Sequence, residues 1–341
     1  MMLPNSGLSG DELRGVVAVG ASAGGVEALT DFASGLPADL PYAVLIALHI
    51  PPTAPSVLAS IIDRSGPLPA VSATDGDKLE AGKIIVAVPD RHILTNDHRV
   101  VLTEGPAENG HRPAINALFR SVALSSGHTS IAVVLSGMLD DGVAGAAAIK
   151  ARGGITVAQR PADAVFPAMP QNAINAGVID YQAAATEIGP LLAQLADREF
   201  EERAMEPDAR LELENRIAMG SKFSLEFDGE SLGPHSGNIC PDCGGSLMVT
   251  AQNGFRCRVG HAWTGEALLQ AREQEVEQAI WVALRSLQEK ARLARKMADH
   301  VGTGVLHRRY SESADEAENA MSIIGSRLSG ITRSAGERGD E

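Results

Sequence analysis

"VVAVGASAGG", residues 16–25, runs from an apolar, β-forming segment into a glycine-rich turn that carries one serine, Ser22. A strand that ends this way serves one of two purposes. Without Cβ atoms, glycines let backbone N–H groups approach a phosphate at the start of the following helix. Alternatively, a sharp strand-to-helix turn holds a serine up as a nucleophile. Gly20-Ala21-Ser22-Ala23-Gly24 fits the G-x-S-x-G pattern of the second purpose. The G-x-G-x-x-G fingerprint of the first is absent, because Ala21 and Ser22 follow Gly20.

The turn also looks like that of short-chain dehydrogenases, whose proton relay is a Tyr-x-x-x-Lys pair. Four residues after Tyr42, Tyr181 and Tyr310 stand Ile46, Ala185 and Ala314, so that chemistry is discarded. Outward from the turn, "RGVVAVG", "YAVLIALHI", "KIIVAVP", "SIAVVLSG" and "GITVAQ" are short runs rich in Val, Ile and Ala. Such runs suit strands buried on both faces. Amphipathic segments such as "APSVLASIIDRS" and "AINALFRSVALSSG" lie between them. The rhythm predicts a doubly wound α/β fold with a mostly parallel sheet. "HILTNDHRVVLT" breaks the rhythm and reads as an antiparallel hairpin turning at Asn96-Asp97.

A serine hydroxyl needs an imidazole to take its proton and a carboxylate to orient that imidazole. Parallel sheets carry their sites at the carboxyl ends of strands. Ser22 stands past the end of the first predicted strand and His49 at the end of the next. A third strand end, "SIAVVLSGMLDDG", offers Asp140 and Asp141 before Gly142 opens a helix. Acids also favour helix N-termini on electrostatic grounds alone, so one of the pair reads as a cap and the other as the orienting acid. The order Ser, His, Asp after the first strand departs from the Ser, Asp, His order of α/β-hydrolases.

The segments "AVGASAGGVEAL", "LHIPP", "HRPAINALFRSVA", "VVLSGMLDDG" and "FPAMPQNAI" together resemble the catalytic domain of the chemotaxis protein-glutamate methylesterase (CheB) family, over about Arg14 to Leu195. The resemblance implies Ser22 as nucleophile, His49 as base and Asp141 as orienting acid. It places Met138 at the site, with backbone N–H groups near Ala23 and Met138 facing the oxyanion. It implies no cofactor for catalysis. The expected substrate is the γ-methyl ester of glutamates on chemoreceptor helices, with glutamine deamidation in some relatives. Members often read "RPSID" where this chain has Arg112-Pro113-Ala114-Ile115-Asn116, so a serine and an acid near the expected substrate groove are replaced. Only about thirteen residues precede the first strand, so the expectation is a chain without the family's receiver domain and its phosphorylation control. A reading from another class is a non-catalytic scaffold of a chemosensory array; an intact Ser-His-Asp set argues against it.

The chain's three cysteines fall in one segment, spaced Cys240-x2-Cys243-x13-Cys257-x3-His261. An odd count argues against a disulfide framework, and thiolates with an imidazole at these spacings suit a closed, structural zinc site. Beyond it Val276, Ile280, Leu284, Leu287, Ala291, Ala294 and Met297 form a helical apolar stripe. "SESADEAENAMSIIGSRL" reads as a second helix folding back, and "SAGERGDE" as disordered. The expected division is a catalytic domain over 14–196, a charged linker over 197–237 whose "DREFEERAMEPDARLELEN" reads as linker or solvated helix, a zinc-ribbon-like module over 238–265 and a helical tail over 266–328. Trp263 and Trp281 are expected to pack the junction between the last two. The tail is a candidate surface for other array proteins or for self-association. A net charge of −14 in 341 residues disfavours nucleic acid as a partner. No apolar run is long enough to insert in a membrane and no signal peptide is seen, so a cytoplasmic location is expected.

Overall fold

The computed structural model describes residues 13–55, 57–198, 207–220, 233–250 and 254–337. The chain divides into two compact units, residues 1–268 and 269–341. The first unit begins with β1 (Gly15–Ala21), α1 (Gly25–Ser34), β2 (Tyr42–Leu48) and α2 (Leu58–Asp63). Next come β3 (Ala70–Ser72), β4 (Ile84–Val86), β5 (His92–Asn96) and β6 (Arg99–Thr103). Then follow α3 (Ile115–Ser126), β7 (Ser130–Val134), α4 (Val143–Ala151), β8 (Ile155–Gln159), α5 (Ala168–Asn175), β9 (Tyr181–Ala183) and α6 (Ala185–Ala196).

Seven of these strands form one sheet in the order β3-β4-β2-β1-β7-β8-β9. Every neighbouring pair is parallel. All residues of β1 and β2 are buried, which explains why they read as unbroken apolar runs. The pleat divides them between two cores. Val17, Val19, Val44 and Ile46 join Leu29, Phe32, Ile188 and Leu192 on the α1–α6 face. Val16, Ala18, Ala43 and Leu45 join Leu118, Phe119 and Val122 on the α3 face. The chain runs from β1 to β2 on one side and later to β7 on the other. The strand order therefore reverses at β1, and a crevice opens at the carboxyl ends of β1, β2 and β7.

The hairpin β5–β6 forms a separate two-stranded sheet. Its turn is Asp97-His98, with φ of 47° and 55°, one residue later than expected. Asn96 still pairs with Arg99, and a two-residue hairpin turn needs positive φ at both of its central residues. Three-residue edge strands β3 and β9 were too short to register as apolar runs.

The expected charged linker contains a packed helix, α7 (Ala209–Met219). Asp208 caps it by accepting the N–H groups of Arg210 and Leu211. Leu211, Ile217 and Ala218 are buried, and the Thr103 hydroxyl donates to the Ala218 carbonyl at 2.6 Å. Residues 199–206 and 221–232 lie outside the described residues. The end of the expected linker enters β10 (His235–Ile239), which joins β11 (Ser246–Val249), β12 (Phe255–Cys257) and β13 (Ala262–Trp263) in an antiparallel sheet.

α8 (Gly265–Val301) leads into the second unit, where it is followed by α9 (Val305–Glu337), the expected second helix. Gly302 and Gly304 turn the chain between them with φ of 63° and 149°. Ala291, Ala294 and Ala298 of α8 and Ala314 and Ala317 of α9 are buried. Arg295 pairs with Asp315 at 2.5 Å and Glu318 at 2.8 Å. The segment expected to be disordered is helical through Glu337; residues 338–341 lie outside the described residues. Trp263 is buried, but Trp281 is 56% exposed and does not pack a junction. Among the described residues no helix is long and apolar enough to cross a membrane.

Candidate active site

The three strand ends converge. The Ser22 N–H donates to the Ser136 carbonyl at 2.9 Å and the His49 N–H to the Ala21 carbonyl at 3.2 Å, fixing the loops after β1, β2 and β7 against one another. Ser22 Oγ lies 3.1 Å from His49 Nδ1, and His49 Nε2 lies 2.7 Å from Asp141 Oδ2. An ionised carboxylate only accepts, so His49 carries its proton on Nε2 and leaves Nδ1 bare toward the serine. Asp141 is buried and accepts further N–H bonds from Ile115 at 2.8 Å, Asn116 at 3.2 Å and Gly142 at 3.0 Å. Burial alone would push its pKa up. The hydrogen bond and charge interaction with His49, with the Ile115 N–H, hold it down to about 2.

Asp141 thus sits at the positive end of α3, while Asn116 of α3 accepts the N–H groups of Gly142 at 3.1 Å and Gly145 at 2.7 Å at the start of α4. Each helix is capped from the other's neighbourhood. Ala114, Ile115 and Asn116 are buried behind the acid, so the replaced serine and acid of "RPSID" stand there and not in an open groove. Asp140 turns the other way and accepts the Thr264 hydroxyl at 2.7 Å.

Two glycines make the crevice possible. Gly24 has φ of 66°, and a Cβ there would lie 2.8 Å from Ser136 Oγ. A Cβ on Gly137 would lie 3.0 Å from Ser22 Cβ and 2.7 Å from Met169 Cε. Among the described residues no acceptor meets the backbone N–H of Ala23 or of Met138. The Met138 side chain is half exposed, as are Val165 and Phe166 nearby. A cavity of about 210 Å³ adjoins His49, lined by Ile50, Pro51, Pro52, Gly110, His111 and Arg112.

His111 was not singled out in the sequence. Its ring stacks on His49 with centroids 3.9 Å apart and planes 8° apart. Burial, then the proximity of His49, lower its pKa to about 4, against the opposing pull of Asp141. An unfolded chain takes up this proton near pH 6.5, whereas the folded chain refuses it until about pH 4. Stability contributed above pH 6.5 is therefore lost progressively as pH falls toward 4, by roughly 2 kcal/mol given partial exposure. His111→Asn should flatten urea-unfolding stability across that window. An unchanged slope would exclude His111 as the cause.

The second candidate site is the cysteine segment. Cys243 Sγ and Cys257 Sγ are 3.7 Å apart, and His261 Nδ1 lies 3.5 Å from Cys257 Sγ and 3.7 Å from Cys240 Sγ. A tetrahedron with zinc–ligand distances of about 2.3 Å to sulfur and 2.1 Å to nitrogen has edges of about 3.6–3.8 Å. Hydrogen bonds from Cys257 and His261 hold the Cys240 thiol far below its ordinary pKa, so the cluster already favours a thiolate. All four ligand atoms lie within 4.8 Å of one another.

Residues 17–192 match the family model for the CheB methylesterase. The chain belongs to the CheB methylesterase family. The CheB methylesterase catalytic domain of Thermotoga maritima superposes with a TM-score of 0.51 and 30% identity, covering 53% of this chain and 98% of that one. A protein-glutamate methylesterase/protein-glutamine glutaminase of Photorhabdus laumondii is 38% identical over 169 residues, 48% of this chain and 48% of its own length. One of Escherichia coli with the same name is 36% identical over 166 residues, covering 48% and 47% of the two chains. This CheB-family chain therefore spans about half the length of the curated relatives it matches.

Proposed function

We propose that the chain is a serine hydrolase that removes methyl groups from glutamate γ-methyl esters, with Ser22, His49 and Asp141 as its catalytic set. The hydrogen-bonded line Ser22–His49–Asp141 at the switch point of the sheet carries the reading. Ser22 Oγ attacks the ester carbonyl while His49 Nδ1 takes its proton. The oxygen then negative is met by the N–H groups of Ala23 and Met138. The imidazolium returns the proton to the departing methoxide, which leaves as methanol while the acyl group stays bonded to Ser22 Oγ as an acyl-enzyme. Water, deprotonated by His49, releases the glutamate carboxylate and restores the serine. A glutamine amide follows the same path with ammonia as leaving group. No step requires a cofactor.

The names of the relatives and the half-exposed Met138, Val165 and Phe166 support a methylated chemoreceptor helix as substrate, with apolar side chains seated beside its ester. Release of methanol from a methylated receptor by the full chain, and none from the Ser22→Ala protein, tests the reading. No release at all would leave a non-catalytic scaffold as the function. The proposal keeps 14–196 as the catalytic domain of a cytoplasmic protein, 238–265 as the metal module, and the helices beyond as the candidate surface for array proteins or self-association.

We also propose that Cys240, Cys243, Cys257 and His261 hold one zinc ion. With four protein ligands it is structural, leaving no position for water or substrate. The small sheet β10–β13 has little apolar mass, so metal binding supplies part of its folding free energy. Metal analysis should find one zinc per chain, and Cys257→Ser should lose it and render β10–β13 protease-sensitive. Metal-free wild-type protein with a protease-resistant module would sink the idea.

A further inference from the structure

The metal site and the hydrolase centre are not independent in this fold. The Cys257–His261 knuckle is closed by the Cys257 N–H donating to the His261 carbonyl at 3.0 Å, and β13 follows it immediately. The Ala262 carbonyl accepts the Asn109 N–H at 2.7 Å, and the Ala262 N–H donates to the Ala107 carbonyl at 3.3 Å. The segment 107–109 is thereby added to the edge of the small sheet. Asn109 and Gly110, with φ of 52° and 74°, then turn the chain, and Glu108 and His111 exchange backbone hydrogen bonds across the turn at 3.1 and 2.9 Å. His111 is the residue stacked on His49.

Thr264, one residue past β13, holds the other side of the site. Its N–H donates to Asn109 Oδ1 at 2.8 Å, and its hydroxyl donates to Asp140 Oδ1 at 2.7 Å. Asp140 precedes the acid that orients His49. The same hydroxyl oxygen accepts the Ala267 N–H at 3.2 Å and so caps α8. One three-residue stretch, Ala262–Thr264, therefore grips both the turn that carries His111 and the loop that carries Asp141.

We propose that Thr264 and the backbone of β13 are positioning elements of the hydrolase centre, so that occupancy of the Cys240–Cys243–Cys257–His261 site sets the rate at which Ser22 reacts. The proposal rests on the hydrolase and zinc readings above. Metal fixes the knuckle, the knuckle fixes β13, and β13 fixes His111 over His49 and Asp140 beside Asp141. Displacements of about an ångström far from the reacting atoms cost up to about a hundredfold in rate. The effect falls on the placement of His49 and Asp141 relative to Ser22, so kcat is expected to carry more of it than KM.

The test uses the full chain, zinc as the metal, p-nitrophenyl acetate as a small ester and a fluorophosphonate as a probe of Ser22. Stripping zinc should lower kcat about tenfold or more with little change in KM, and added zinc should restore it. Thr264→Asp separates the two jobs of the side chain. Aspartate caps a helix as well as threonine does, yet it has no proton to donate to Asp140. It should keep the helix content and zinc content of the wild type and lose kcat by a similar factor, whereas Thr264→Ser should keep kcat. A wild type that binds stoichiometric zinc, with kcat unchanged both when the zinc is stripped and in Thr264→Asp, overturns the coupling and leaves the hydrolase reading standing. Absence of bound zinc overturns it through the metal. Failure of the fluorophosphonate to label Ser22 in the zinc-loaded wild type overturns it together with the hydrolase reading.

Discussion

Ser22→Ala should lower kcat for ester hydrolysis by about 10⁶ while leaving the fold intact. The Ser22 side chain makes one hydrogen bond, to His49, and its removal opens no core cavity. On the proposed mechanism the residual rate would come from the N–H groups of Ala23 and Met138, which the substitution leaves in place. His49→Ala should cost a similar factor, and the double variant hardly more, because a nucleophile without its base and a base without its nucleophile are equally idle. Asp141→Asn should cost about 10⁴. The amide would place N–H groups where the carboxylate accepts four bonds, from His49, Ile115, Asn116 and Gly142. Asp140→Asn should be mild, since an amide oxygen still accepts the Thr264 hydroxyl. Methanol release from methylated receptor measures all five variants. A larger loss at Asp140 than at Asp141 would reverse the choice of acid.

The place of both acids was legible in the sequence because parallel strands end in register, whereas the choice between Asp140 and Asp141 rested on the family resemblance alone. β1 pairs with β2 and with β7, so residues just past these strands share an edge wherever they lie in the chain. Uninterrupted apolar runs located the strands, and strand ends located Ser22, His49 and the two acids. Asn116 was read as a missing acid by a groove. Its work is to cap α4, which depends on a helix-to-helix approach that no local pattern encodes. His111 escaped for a related reason. A histidine before Arg112-Pro113 has no distinctive neighbours in sequence, and its meaning lies in a ring contact with His49 across the sheet edge.

The region after Ala196 was legible in composition and misleading in arrangement. Its charge density suggested a solvated linker. Yet Glu214 of α7 lies 3.5 Å from Arg120 Nε and 3.7 Å from Arg256 Nη2, and part of that charge is turned inward. The spacing of Cys240, Cys243, Cys257 and His261 pointed to a cluster, and the structure brings their ligand atoms within 4.8 Å of one another. The spacing carried no information about where the module docks, because docking is set by side chains far apart in sequence: Glu108, Arg120 and Arg256.

Those three side chains carry the second large effect. Glu108 is 3% exposed and its carboxylate is shared by Arg120, at a very short contact, and Arg256 at 3.3 Å. Burial would push its pKa up, but Arg120 and then Arg256 hold it down, so it stays ionised at neutral pH. Arg256 also donates to the Gly260 carbonyl at 2.7 Å, tying the pair to the metal knuckle. Glu108→Ala should destabilise the first unit by about 3–5 kcal/mol, because it leaves two buried guanidinium groups with Glu214 as their remaining carboxylate. Replacing all three by Leu, Met and Met should cost less than the single change, since desolvated charge disappears along with its partner. Guanidinium unfolding of both variants, with zinc held constant, measures the difference. A single variant as stable as the wild type would mean that the two arginines reach water, and that the buried pair does not hold the module to the catalytic sheet.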